Sequence, residues 1–256
     1  MTWVRSAVFN LWFYGVTVIL ATGSLGLWMV HPSRALALAR LWARTVLAGL
    51  GPLCGIRVVV SGREHLPTGG PALIASQHQS AFDTMVWLVL VPEAAYVLKK
   101  ELLRIPLFGL VCRRANMIAV DRGAGAAAIR ALLRGGDAAV AAGRQIIIFP
   151  EGTRAAPGVP LMLQPGVAAL ASRTGLPVIP VVTDSGQCWG RRAFRKRAGV
   201  IHVVVLPSLP AGMAREALMQ SLNTSFANAA SIVATAVDNS VGTPPGRLSA
   251  NPRNMA

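Results

Sequence analysis

Acidic residues are few: ten Asp and Glu stand against 22 Arg and 3 Lys in 256 residues, for a formal net charge of +15. Such a balance suits an anionic partner, whether nucleic acid, anionic lipid or a phosphorylated substrate. Aromatics are also sparse, at 6%, and the arginines are scattered. Nucleic-acid binders gather basic residues on one element and interleave aromatics, so nucleic acid is set aside. Cysteines number three, Cys54, Cys112 and Cys188, odd in count and without C-x-x-C spacing. That suggests neither a disulfide framework nor a cysteine zinc site, and it fits a reducing cytoplasm with three buried small hydrophobes. Charge of either sign is low at 14%, while 53% of residues are apolar. With a mean hydropathy of +0.51 the chain is too apolar for wholesale disorder and reads as membrane-associated.

A chain of this length forms one sizeable core with appendages. Residues 6–30 carry no charge, and 25 residues at ~1.5 Å rise exceed the ~30 Å hydrocarbon thickness, so the run is predicted to be an uncleaved membrane anchor. A signal peptide is the competing reading, and Gly23-Ser24 and Gly26 could instead break the run into a helical pair within one leaflet. Arg34, Arg40 and Arg44 follow it, which puts the remainder in the cytoplasm, at the inner membrane. Residues 31–50 read as a helix against phospholipid headgroups, with Arg40 and Arg44 one turn apart. Residues 1–50 are therefore taken as membrane-anchoring and interfacial helices.

Seven short runs then follow: "IRVVVSG" (56–62), "ALIAS" (72–76), "AAYVLK" (94–99), "MIAVD" (117–121), "QIIIF" (145–149), "VIPVV" (178–182) and "IHVVVL" (201–206). With helices between them they predict an α/β domain over 51–238, a mostly buried central sheet of about seven strands flanked by helices. Pro180 implies an edge strand or a bulge. The alanine-rich helix at 124–142 should break or weaken at Gly135-Gly136, and one last helix should run through 213–238. Residues 239–256 form a Pro/Gly/Asn tail expected to be disordered.

Two polar groups stand in the apolar stretch "ASQHQSAFDTMVW" (75–87): His78 and, five residues on, Asp83. His78 falls in a strand-to-helix turn and Asp83 in the first helical turn, with Ser80 as the expected N-cap. The turn lets the carboxylate reach the imidazole, fix its tautomer and stabilise the imidazolium, as a general base for an alcohol requires. A capping Asp beside an ordinary loop His is the alternative. "FPEGTR" (149–154) follows a buried strand, and its Gly-containing turn with a guanidinium makes an anion cradle; a surface turn with a Glu151–Arg154 ion pair is the alternative. "AVDR" (119–122) puts Arg122 at a strand's C-terminal end, where α/β sheets bind ligands. Lys99 and Lys100 in "LKKELLRIPLFG" (98–109) are phosphate contacts or solvated lysines. One histidine with two acids in separate loops lacks metal-ligand spacing, so no metal is predicted.

In order and spacing these fragments, together with "GLPVIPVVTDSG" (175–186), resemble the glycerophospholipid acyltransferase family over residues 55–210. The resemblance implies transfer of a fatty acyl group from an acyl-CoA or acyl carrier protein thioester to the free hydroxyl of lysophosphatidic acid, giving phosphatidic acid, with no other cofactor. It implies His78 as general base, Asp83 orienting it, Lys100, Arg122 and Arg154 on the acceptor's phosphate, and Glu151, Gly152 and Thr153 shaping that site. No Ser or Cys sits in a nucleophile arrangement, so no acyl-enzyme is expected. Gln77 and Asp184 stand where the family commonly has Asn, which leaves acceptor choice open. Other readings are acylation of another lysolipid, such as a lyso-aminolipid, and a catalytically silent adaptor for anionic lipid. The run "RRAFRKR" (191–197) is expected to face anionic headgroups of the bilayer or to be a solvated loop.

Overall fold

The structure, a computed structural model, describes residues 2–23, 34–159 and 161–240. Seven strands, β1 (Ile56–Ser61), β2 (Ala72–Ser76), β3 (Ala94–Lys99), β4 (Ile118–Val120), β5 (Gln145–Ile148), β6 (Val178–Thr183) and β7 (Gly199–Val205), form one sheet in the order β1-β7-β6-β2-β5-β3-β4. All neighbours are parallel except β6 and β7. β2, β5 and β6 are buried along their whole lengths, as their unbroken apolar runs require.

The helices are α1 (Thr2–Gly23), α2 (Ala35–Ala48), α3 (Asp83–Leu90), α4 (Phe108–Arg114), α5 (Ala126–Ala141), α6 (Gly166–Thr174), the single turn α7 (Ser185–Cys188), α8 (Arg215–Ala227) and α9 (Ala229–Ser240). Strand alternation divides the core between the two faces of the sheet. Ile74 and Ile147 pack with Phe9 of α1, Val46 of α2 and Trp87 of α3. Leu73, Ile146 and Ile148 pack with Leu132 of α5, Leu170 of α6 and Leu222 of α8.

α1 buries Ser6, Phe9 and Val16 against the domain and leaves Val4, Leu11, Tyr14, Val18 and Ile19 exposed. Trp42 Nε1 donates to Thr17 Oγ1 at 3.0 Å, and Arg5 Nε donates to Leu53 O at 3.0 Å, so the helix lies along the domain through much of its length. By length and composition alone it could cross a membrane. The rest of the apolar run, with Gly26, and the tail from residue 241 lie outside the described residues, as does the expected helix start at His31.

Four local expectations need correction, and a fifth, at Pro180, is decided between its two alternatives. α5 is continuous, because its glycines are packing contacts: a Cβ at Gly135 would stand 2.6 Å from Ile118 Cγ2, and one at Gly136 2.5 Å from Leu170 Cδ2. β6 is an interior strand, so Pro180 marks a bulge and not an edge. Its ladder with β7 ends at Val181 opposite Val205, and pairing beyond Pro180 resumes one residue out of step, as a Val178–Leu209 bridge, so the missing N–H falls at a break. The final helix is two, divided at Asn228, and Phe226 O is thereby open to accept from Gln77 Nε2 at 3.1 Å. Arg40 faces inward: its Nε donates to Leu88 O at 3.2 Å and its Nη2 lies 3.9 Å from Glu93. Ser80 does not cap α3; its Oγ accepts from Phe82 N at 3.0 Å, two residues on, within the turn that leads into the helix.

Candidate active site

His78 lies just past the C-terminal end of β2, in the center of the sheet, where an open α/β sheet leaves its crevice. Asp83 opens α3 and is 2% exposed. One of its oxygens, Oδ2, accepts from the backbone N–H groups of Gln79 and Ser80 at 2.6 and 2.7 Å and faces His78 Nδ1 at 3.3 Å. An ionised carboxylate can only accept, so this contact puts the imidazole proton on Nδ1 and leaves the Nε2 lone pair available. The 3.3 Å separation is long for such a bond and belongs with the slack common in unliganded sites.

The loop is braced from three sides. Glu151 Oε2 accepts from His78 N at 2.6 Å, and His78 O accepts from Ala155 N at 2.7 Å, so residues 151–155 clamp the histidine's backbone. Gln79 Nε2 donates to Thr183 O at 2.8 Å, and Gln79 Oε1 accepts from Gly186 N at 3.0 Å. Phe149 stacks on the His78 ring at 4.3 Å between centroids and 23° between planes, and Tyr96 lies behind Phe149 at 6.3 Å. Sequence reasoning gave no role to Phe149 or Gln79, although both lie within the motifs it singled out. A ring at the end of a strand that enters a functional turn was the available signal.

Glu151 is buried, and its carboxyl is pushed up to about 7, chiefly by desolvation; the His78 amide opposes the rise and the charge of Asp83 adds to it. It makes no ion pair with Arg154 among the described residues, so the surface-turn alternative fails. Gly152 has φ +68°, and its carbonyl accepts from Arg122 Nη1. This bond brings the "AVDR" and "PEGTR" motifs together. Arg154 is half-buried and, among the described residues, makes no hydrogen bond or ion pair. Burial lowers its pKa, the charge of Asp83 works against that, and Arg191 and Arg192 add to it. Thr153 is exposed. Lys100 stands further out, with Nζ 3.7 Å from Asp121 and its side chain 63% exposed.

Both departures from common family wording serve the scaffold. Gln77 donates to Phe226 O and accepts from Thr183 N at 3.2 Å. Asp184 pairs with His202 on β7, Oδ2 to Nδ1 at 2.7 Å, and also accepts the His202 backbone N–H at 2.7 Å. Among the described residues, no group of three or more His, Cys, Asp and Glu is placed to hold a metal ion.

Residues 57–184 match the family model described as acyltransferase, and this span holds the His78 turn, Arg122 and the Glu151–Arg154 turn together. The chain belongs to the acyltransferase family. It is 33% identical over 210 residues to the 1-acyl-sn-glycerol-3-phosphate acyltransferase of Pseudomonas aeruginosa, covering 81% of each chain. It is 33% identical over 171 residues to the human 1-acyl-sn-glycerol-3-phosphate acyltransferase alpha, covering 65% of this chain and 60% of the human one. The crystal structure of the 1-acyl-sn-glycerophosphate acyltransferase of Thermotoga maritima superposes with a TM-score of 0.71 at 21% identity, over 95% of this chain and all of that one, which establishes the shared fold. The chain is thus an O-acyltransferase, and the silent-adaptor reading is set aside.

Proposed function

We propose that this acyltransferase moves a fatty acyl group from a thioester, acyl-CoA or acyl carrier protein, to the sn-2 hydroxyl of 1-acyl-sn-glycerol-3-phosphate, forming phosphatidic acid. The observation that carries the reading is His78, with Nδ1 turned to a buried carboxylate and Nε2 left with its lone pair. In this scheme Nε2 takes the hydroxyl proton as the oxygen attacks the thioester carbonyl carbon. The carbon–sulfur bond then breaks, and the imidazolium returns the proton to the departing thiolate. A thioester is already reactive, so positioning and a base contributing ~10²–10⁴-fold are sufficient.

The phosphate reading rests on Arg154, half-buried with its guanidinium unpaired among the described residues, and on Arg122, fixed to Gly152 O. Gly152 and Thr153 shape the turn between them. Lys100, exposed and 3.7 Å from Asp121, is the outermost of the three cations. The names of the relatives from Pseudomonas aeruginosa and human support the acceptor. The exposed apolar face of α1 supports work at a bilayer, from which the lysolipid arrives, with the site on the cytoplasmic side of the inner membrane.

The test follows thiol release by detergent-purified protein given acyl-CoA and lysophosphatidic acid, with His78→Ala as comparison and other lysolipids in parallel. Acceptor-dependent release abolished by the substitution is expected. Release with a lyso-aminolipid alone would transfer the reading to that acceptor, and no release with either CoA or acyl carrier protein thioesters would end it.

A further inference from the structure

A cavity of about 620 Å³ opens between α7, the loop that follows it and the start of β7, within the ~300–1,000 Å³ range of small-molecule sites. Gly186, Gln187, Cys188, Pro157, Arg195 and Arg197 are among the residues that line it, and no acidic residue does. Through Gly186 its wall abuts the turn that holds the base. Gly186 N donates to Gln79 Oε1 at 3.0 Å, and a Cβ on Gly186 would stand 2.8 Å from Pro157 Cγ and 3.1 Å from Gln79 Cβ. Gln79 is the neighbour of His78 in the chain, so the cavity wall touches the turn that carries the base. Arg195 and Arg197, also on its lining, are exposed, and among the described residues their guanidiniums make no hydrogen bond or ion pair.

The substrates of the proposed reaction differ in where they carry negative charge. The acceptor's phosphate is attached to the glycerol that bears the attacked hydroxyl, so its cation must stand close to His78; Arg154, three residues from Glu151, meets that need. The donor's phosphate lies a whole pantetheine arm away from the reacting thioester, and its cations must be remote. Arg195 and Arg197 line a cavity whose wall meets the turn of His78 through Gly186, and this suits a donor phosphate set apart from the reacting group.

On that reading of the reaction, we infer that this cavity is the donor site: the phosphopantetheine arm lies along Gly186 and Pro157, and its phosphate is held by Arg195 and Arg197. CoA and acyl carrier protein share this arm and phosphate; CoA adds further phosphates on its nucleotide. The base and the donor site are coupled through Gln79, whose side chain joins the turn of His78 to the cavity wall.

Steady-state kinetics in detergent micelles with Arg195→Gln/Arg197→Gln and with Ala193→Trp test this. The first removes the charges. The second fills the cavity, whose lining includes Ala193, and leaves every charge in place. Both should raise the donor KM at least about tenfold and leave the acceptor KM near that of wild type. A rise with both donors locates the shared phosphate, whereas a rise with acyl-CoA alone or with acyl carrier protein alone identifies that donor as the occupant. A donor KM unchanged with both donors, or a rise in the acceptor KM instead, overturns the inference while wild-type turnover leaves the proposed reaction standing. Should wild type not turn over at all, calorimetric titration with free CoA and with 4′-phosphopantetheine decides the site separately. Binding of either ligand lost in both variants supports it, and binding of neither by wild type ends it.

Discussion

The backbone N–H of His78 donates to Glu151 Oε2 at 2.6 Å, so two motifs 73 residues apart are closed on one another through a buried carboxyl. Because burial raises the Glu151 carboxyl to about 7 from an ordinary 4.5, the native chain binds more protons than the unfolded chain between those values. Stability from this group is fully present below pH ~4.5 and is lost as pH rises through about 7. Glu151→Gln keeps an acceptor for His78 N–H and cannot ionise. The wild type should therefore lose on the order of 3 kcal/mol relative to the Gln variant across that window. Thermal melts of both proteins over the pH range read this directly, and parallel profiles would contradict it.

Asp83 acts through a single oxygen that serves two backbone amides and the imidazole. Asp83→Asn can still accept the amides of Gln79 and Ser80, so the turn should hold its shape. It can no longer stabilise an imidazolium. We expect kcat to fall about 10²–10⁴-fold with the acceptor KM little changed and the circular dichroism spectrum intact. A kcat equal to wild type would mean that Asp83 only ties the turn.

Most of the scaffold was legible because β-branched runs and buried strands follow one simple rule of burial on both faces; all seven runs became strands. The pairing of His78 with Asp83 was legible too, since it is local, between a strand end and the first turn of the next helix. What the residues did not disclose was tertiary. Gly135 and Gly136 read as helix breakers until Ile118 and Leu170 are seen filling the space where side chains would stand. Pro180 read as an edge or a bulge, and only the one-residue slip of the β6–β7 ladder beside it decides for the bulge. The stack of Phe149 on His78 and the grip of Gln79 on Gly186 join segments far apart in the chain, and no local pattern encodes such contacts.

Arg154 is half-buried beside the site, and its guanidinium has no protein partner among the described residues. A guanidinium in that state is preorganised for an anion and is only partly shielded by solvent. Arg154→Ala should raise the acceptor KM about ten- to hundredfold, the loss of one or two hydrogen bonds to a charged group, with a smaller effect on kcat. Arg122→Ala should lower kcat as well, because it also frees the Gly152 carbonyl that fixes the Glu151–Arg154 turn. Acceptor saturation curves for the two variants separate these effects. Unchanged acceptor affinity in Arg154→Ala would remove it from the phosphate site.

The basic run was expected to face headgroups or solvent, but Lys196 is 4% exposed and moors the loop to α1. Its ammonium donates to Asn10 Oδ1 and to Phe194 O at 3.0 Å, and it lies 5.5 Å from the Phe9 ring center and 5.0 Å from that of Trp189. Its pKa is lowered, chiefly by desolvation, and among the described residues no acid pairs with it. A buried charge costs most when one partner is removed and it is left underpaired, whereas replacing the charge by an apolar chain of similar shape removes the demand itself. Asn10→Leu should therefore lower the melting temperature more than Lys196→Met does, by the equivalent of about 1–3 kcal/mol. The double variant should recover most of the loss. Limited proteolysis should follow the same order, with α1 cut fastest in Asn10→Leu, because the loop that carries Lys196 no longer holds it. If Lys196→Met proves the more damaging of the two, the ammonium stabilises the fold outright through its aromatic neighbours, and the mooring is electrostatic in net effect.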